Sequence, residues 1–311
     1  MPTLTPSAFR RLTLAVVALV AVIIVTGAAV RLTGSGLGCP NWPTCDGHHI
    51  VDPAASHKGI ESINRAITGL VSVVVILSVL GSLRRVPRRR DLVWLSLGLV
   101  AGVVAQIVLG GLVVIFHLYP PLVMGHLVLS MLLLADAVVL HHRARLPDDE
   151  PVGPAVAGDV ATLTKLLVGW AALVIVLGTV VTGAGPHAGS NKDRLVERLP
   201  IAVHDAARFH GTAVVLFLVF VLLTIWRLRA EGAPRSVLGR AELLLVALVT
   251  QAAVGYTQYF TGVPVVLVGV HVAGADAVWA AVLWLALGTN QTVVPVASTQ
   301  ARATGEVAVA G

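Results

Sequence analysis

The chain has 311 residues, of which 56% are hydrophobic and only 12% charged, with a mean hydropathy of +0.88. Soluble domains carry about 25% charged residues, so this composition excludes an ordinary soluble domain and places the chain in a bilayer. The formal net charge of +6 is no sign of nucleic-acid binding, because the basic residues gather in alternate loops rather than along one stripe.

A spanning helix needs roughly 20 mostly apolar residues. Runs of that kind fall at about 12–33, 60–83, 92–116, 120–140, 162–184, 203–226, 241–261 and 264–287, which predicts an all-α integral membrane protein of eight transmembrane helices. The first run follows Arg10 and Arg11 but exceeds the usual signal-peptide core and lacks a clear small-residue cleavage site, so it reads as a retained helix. After it comes an outer loop, 34–59, holding the only two cysteines, Cys39 and Cys45. That compartment lets a disulfide persist, and both a loop-closing disulfide and a redox-active thiol pair are open.

Arg84, Arg85, Arg88, Arg89 and Arg90 follow the second run, Arg143 and Arg145 the fourth, and Arg227, Arg229, Arg235 and Arg240 the sixth. This positive-inside pattern predicts a multi-pass protein of the inner (plasma) membrane with both termini cytoplasmic. The outer loop carrying Lys192, Arg194 and Arg198 is its one departure. The expected organisation is an N-terminal four-helix half, 1–145, a cytoplasmic linker, 146–160, a C-terminal four-helix half, 161–288, and a polar, disordered tail, 289–311.

The halves echo each other. Val25-Thr26-Gly27-Ala28 ends the first helix and Val181-Thr182-Gly183-Ala184 the fifth, while Gln106 precedes His126 by 20 residues as Gln251 precedes His271, an offset of 145 between halves. Setting the second helix on the sixth pairs Asn64 with His210. Four helices per unit keep the units in one orientation, so two parallel four-helix bundles related by a pseudo-two-fold axis along the membrane normal are expected.

Counting along each helix at 1.5 Å per residue puts His126, His210 and His271 on one level of the outer leaflet. Ionisable residues inside a span raise a functional hypothesis, whereas one lone histidine serves as often in a structural hydrogen bond. Helices six and eight run the same way, so His210 and His271 can face each other across a planar macrocycle and give both axial nitrogens to one iron. The first half pairs His126 with Asn64 and has Glu61 and Arg65 on the same helix, an asymmetric polar site suited to an open, reactive position. Asp136 and Asp276 are also intramembrane; hydrogen bonding within the bundle is their expected role, with a proton path as the alternative.

The outer loop from Arg31 to Gly47, with Cys39-Pro40-Asn41-Trp42-Pro43 at its centre, closely resembles the signature after the first helix of heme A synthases. Glu61 to Arg65, Gln106 to Gly111 and Gly178 to Gly189 match further family segments, so the resemblance covers nearly the whole chain. It implies a heme b cofactor between His210 and His271 and oxidation of the C8 methyl of the substrate heme O to a formyl group by successive oxygenations with dioxygen. Glu61 would act at the reacting methyl, His126 would ligate the substrate iron, and Arg65 and Arg31 would meet propionates. Asn64 stands where the family has histidine, so the substrate iron is ligated through His126 alone or the protein binds heme without turning it over; the retained Glu61 and Arg65 favour the first. The electron donor is not readable, and a heme O synthase or oxidase-assembly partner and a homo-oligomer are open. Two other classes compete. A b-type electron-transfer cytochrome explains the His210–His271 pair but has no need of Glu61, and a parallel-repeat transporter explains the duplication but favours broken helices at the midplane.

Overall fold

The computed structural model describes residues 3–38, 42, 56–148, 152–190 and 196–292. Among these, eight helices follow in chain order: α1 (Pro6–Leu32), α2 (Ser56–Arg84), α3 (Arg90–Ile115), α4 (Pro120–Arg145), α5 (Gly158–Ala184), α6 (Val203–Ala230), α7 (Arg235–Phe260) and α8 (Val265–Leu287). All eight are long and apolar enough to cross a membrane. Large apolar side chains such as Trp94, Phe260 and Val266 are over 70% exposed on the outer surface. Water would penalise such a surface, whereas lipid tails solvate it and the helices satisfy their own backbone groups.

The helices outrun the apolar runs, chiefly at the arginine-rich end: α1 starts at Pro6, α4 ends at Arg145 and α7 starts at Arg235. A hydropathy run marks what lies in hydrocarbon. The helix itself continues through the interface, where arginine lays its stem on apolar surface and extends its charge to the headgroups.

Packing follows one scheme in both halves. Each four-helix set closes a ring, α1–α2–α3–α4–α1 and α5–α6–α7–α8–α5, and the halves meet through α4–α8, α1–α8 and α4–α5. Exchanging α1–α4 for α5–α8 maps this set of contacts onto itself, with α4 and α8 at the centre. Val20, Leu99, Leu134, Phe217, Leu244 and Val282 belong to the continuous apolar core between the helices.

The α3–α4 and α7–α8 turns share one geometry. His117 and Leu118 have φ of 51° and 62°, and Gly262 and Val263 of 79° and 59°. Leu118 N–H donates to Val113 O at 2.8 Å, and Val263 N–H to Gln258 O at 2.7 Å, the six-to-one bond that ends helices before left-handed residues. A β-branched residue is strained there, and Val263 is held by its surroundings, with His187 Nε2 donating to its carbonyl at 2.8 Å.

At the arginine-rich end Arg85 is 2% exposed and donates to both Asp148 oxygens, at 2.8 and 2.9 Å, and to Pro87 O at 2.6 Å. Arg89 bridges Asp91 and Asp148; burial works against its charge, but these two carboxylates more than offset that and raise its pKa. Beyond these helix ends the linker and the tail meet, strand β1 (Val152–Pro154) pairing antiparallel with β2 (Asn290–Thr292). Residues 290–292, expected from their polarity to be disordered, are thus part of a two-stranded ribbon whose partner carries the matching backbone groups; the rest of the tail lies outside the described residues.

Candidate functional site

In a ring of four helices, diagonal partners face each other across the interior. α6 and α8 are diagonal in the second half, and their histidines meet there: the His210 and His271 rings are 6.4 Å apart between centroids, inclined at 76°. A metal–imidazole bond of about 2 Å on each side, with about 1.2 Å from nitrogen to ring centre, asks for roughly that separation. His210 Nδ1 donates to Val174 O at 3.1 Å, leaving Nε2 as the free ligating nitrogen in the arrangement usual for metal-bound imidazole. His271 is held from behind, Gln251 Nε2 donating to its carbonyl at 2.6 Å, while its Nδ1 is buried with no partner among the described residues.

Two glycines make room for these rings. A Cβ on Gly178 would lie 3.2 Å from His210 Cε1, and one on Gly255 would lie 2.9 Å from His271 Cε1. The cavity between the rings is walled by Leu127, Met131, Phe217, Val278 and Trp279, with Thr182 and Gln251 among its polar groups. Two facing imidazoles in an apolar slot fit a flat iron macrocycle. Gly255→Ala is expected to displace the His271 ring and to weaken about tenfold the hold on any iron macrocycle ligated through it, measured by heme titration of the purified protein. Gly110→Ala, acting in the other half, leaves that titration unchanged.

The first half repeats the support without the second imidazole. Gln106 Nε2 donates to His126 O at 3.1 Å, and a Cβ on Gly110 would lie 3.3 Å from His126 Cε1. Gln106, Gly110 and His126 thus stand to Gln251, Gly255 and His271 at the single offset of 145. Across the ring on α2, Asn64 accepts through Oδ1 from Thr26 Oγ1 at 3.0 Å. Glu61, one turn earlier, is 6% exposed and paired with Arg65 at 2.7 Å.

Arg31 reaches toward the second half. Although α1 belongs to the first half, Arg31 Nη2 donates to Thr182 O at 2.7 Å, its Nε is buried with no partner among the described residues, and Thr182 lines the His210–His271 cavity. Its stem is long enough to cross where α1 approaches the second half. Asp276 departs from expectation: it is 5% exposed and neither carboxylate oxygen has a partner among the described residues. Of its neighbours on α8 three and four residues away, Val272, Ala273 and Ala280 bring no side-chain donor, and Trp279 gives its indole N–H to Met131 O. Cys39 and Cys45 lie outside the described residues.

Gly178 and Gly255 are site residues whose role was missed in the sequence, although Gly255 sits 145 residues after Gly110 and the repeat pointed to it. Trp279, whose Nε1 donates to Met131 O at 2.8 Å between α8 and α4, has no such signal.

Comparison with known proteins gives one consistent answer. The model of the family described as cytochrome oxidase assembly protein matches residues 10–283. The chain is 28% identical over 259 residues to the heme A synthase of Halalkalibacterium halodurans, covering 80% of this chain and 83% of that protein. Identity is 26% over 256 residues with the heme A synthase of Shouchella clausii, covering 78% and 83%, and 27% over 265 residues with that of Listeria monocytogenes, covering 80% and 85%.

Proposed function

The chain belongs to the cytochrome oxidase assembly protein family, and on that premise we propose that it is a heme A synthase, a membrane oxidoreductase that converts the C8 methyl of heme O to a formyl group by successive oxygenations. The observation that carries this reading is the His210–His271 pair, at the separation two axial ligands require, in an apolar slot kept open by glycines. We assign heme b to that slot, where it supplies electron transfer. Arg31, bonded to the lining residue Thr182 and with a buried Nε that has no partner among the described residues, is suited to a propionate of this heme.

The substrate site is assigned to the first half. His126, steadied by Gln106, is its one imidazole ligand. Asn64 has its oxygen engaged by Thr26, and an amide nitrogen is no iron ligand, which supports ligation through His126 alone. Glu61 is a buried carboxylate, the group able to accept a proton at the reacting methyl, and Arg65, paired with it, is placed for a propionate. Dioxygen and a reductant supply the oxidising power and electrons. The arginine-rich ends mark the cytoplasmic side, so the chain is assigned to the bacterial inner membrane with both termini inside.

The test is expression in a host that makes heme O and lacks heme A, followed by pigment extraction and chromatography with mass detection. Heme A is expected in the wild type. Heme B alone from well-folded protein, with dioxygen and a working reductant present, would overturn the reading in favour of an electron-transfer cytochrome.

A further inference from the structure

At the arginine-rich end, α1, α4, α7 and α8 enclose a second cavity of about 300 Å³. Its inner wall is apolar, from Val17, Val138, Ala277 and Ala281, and its rim carries His141, His142 and Arg145. Arg240 completes the rim: its guanidinium lies 4.9 Å over the ring of Trp284, a lining residue, and donates to the Trp284 carbonyl at 2.9 Å. Arg240 is within electrostatic reach of both Arg145 and His142.

Neither Arg145 nor Arg240 has a carboxylate partner among the described residues, whereas Arg143 is paired with Asp91 and Arg229 with Glu242 on nearby helix ends. Two like charges held at the mouth of an apolar cavity, with no counter-charge from the chain, are complementary to an anion. Leu243, a lining residue, is 48% exposed, so the cavity opens sideways toward lipid. An inorganic anion would satisfy the arginines and leave the apolar wall bare, while a lipid with a charged phosphate satisfies both.

We propose that this cavity binds one anionic phospholipid, its phosphate between Arg145 and Arg240 with His142 beside it, and its first acyl carbons against Val17, Val138 and Leu243. Basic pockets between transmembrane helices recognise lipid headgroups in this way. The site is separate from the histidine cavity and does not depend on the reaction assigned there.

The test uses the full-length, delipidated protein in neutral detergent, exposed to phosphatidylglycerol or phosphatidylcholine, with retained lipid counted by native mass spectrometry. Wild type is expected to favour phosphatidylglycerol by roughly tenfold or more. The Arg145→Gln/Arg240→Gln variant is expected to fall to parity, while Arg88→Gln/Arg90→Gln, an equal charge change on exposed side chains, keeps the preference. A second variant, Leu243→Trp, blocks the side opening with both arginines in place and is expected to lose retention as well, which covers poor folding of the first. Preference that survives both cavity variants, preference that falls equally in the Arg88/Arg90 control, or full displacement of the lipid by inorganic phosphate would each overturn the assignment.

Discussion

Replacing His271 by alanine is expected to release heme b from the purified protein, lowering retained heme by more than about a hundredfold, beyond the 10- to 100-fold typical of losing a mere supporting contact. Only His210 then faces the slot, and a macrocycle bound through one imidazole also loses the low-spin absorption bands that two strong axial nitrogens impose. The Gln251 amide and Gly255 remain, so the vacated space keeps its shape, and added imidazole is expected to restore both heme and spectrum. The measurement is heme per protein with the absorption spectrum, on material shown to be monodisperse. Unchanged bands in His271→Ala would remove this residue from the ligand set and with it the reason for placing the cofactor between α6 and α8.

Glu61→Gln is expected to abolish heme A while leaving heme b bound. The two sites lie in different four-helix rings, so the substitution does not reach the cofactor slot. Glutamine keeps the side chain's size and an oxygen for Arg65 but can neither accept a proton nor offset the Arg65 charge. General-base assistance contributes typically 10²- to 10⁴-fold, and a product loss of that order, read as the heme A to heme O ratio at equal heme b content, is the expected outcome. Wild-type product from Glu61→Gln would mean that Glu61 only holds Arg65 in place.

The parts of this molecule that were legible in the sequence are those set by one helix at a time. The spans follow from uninterrupted apolar runs, and the depth of His210 and His271 follows from counting rises, since both belong to regular helices of known direction. That they can face each other was readable because helices six and eight run the same way and carry the two histidines at one level. Features set by two elements meeting were not legible. The clearance at Gly178 and Gly255 exists only once a ring is aimed at it. The reach of Arg31 from α1 to the Thr182 carbonyl on α5 depends on how the two halves approach each other. Asp276 was assigned by depth, and depth says nothing about whether the facing residues can donate. The linker and tail strands each look like polar coil because a three-residue strand is defined by its partner.

The central position of α4 has a consequence of its own. This helix carries His126 in one chamber, while Leu127 and Met131 on the same helix form part of the wall of the other, and Trp279 fastens α8 to it at the Met131 carbonyl. On the proposed assignment the two hemes are therefore neighbours across a partition a single helix thick, about 10 Å. An electron can cross such a barrier by tunnelling with no third carrier, so the reductant needs only to reach the cofactor chamber, and the substrate chamber can stay closed around its reactive methyl.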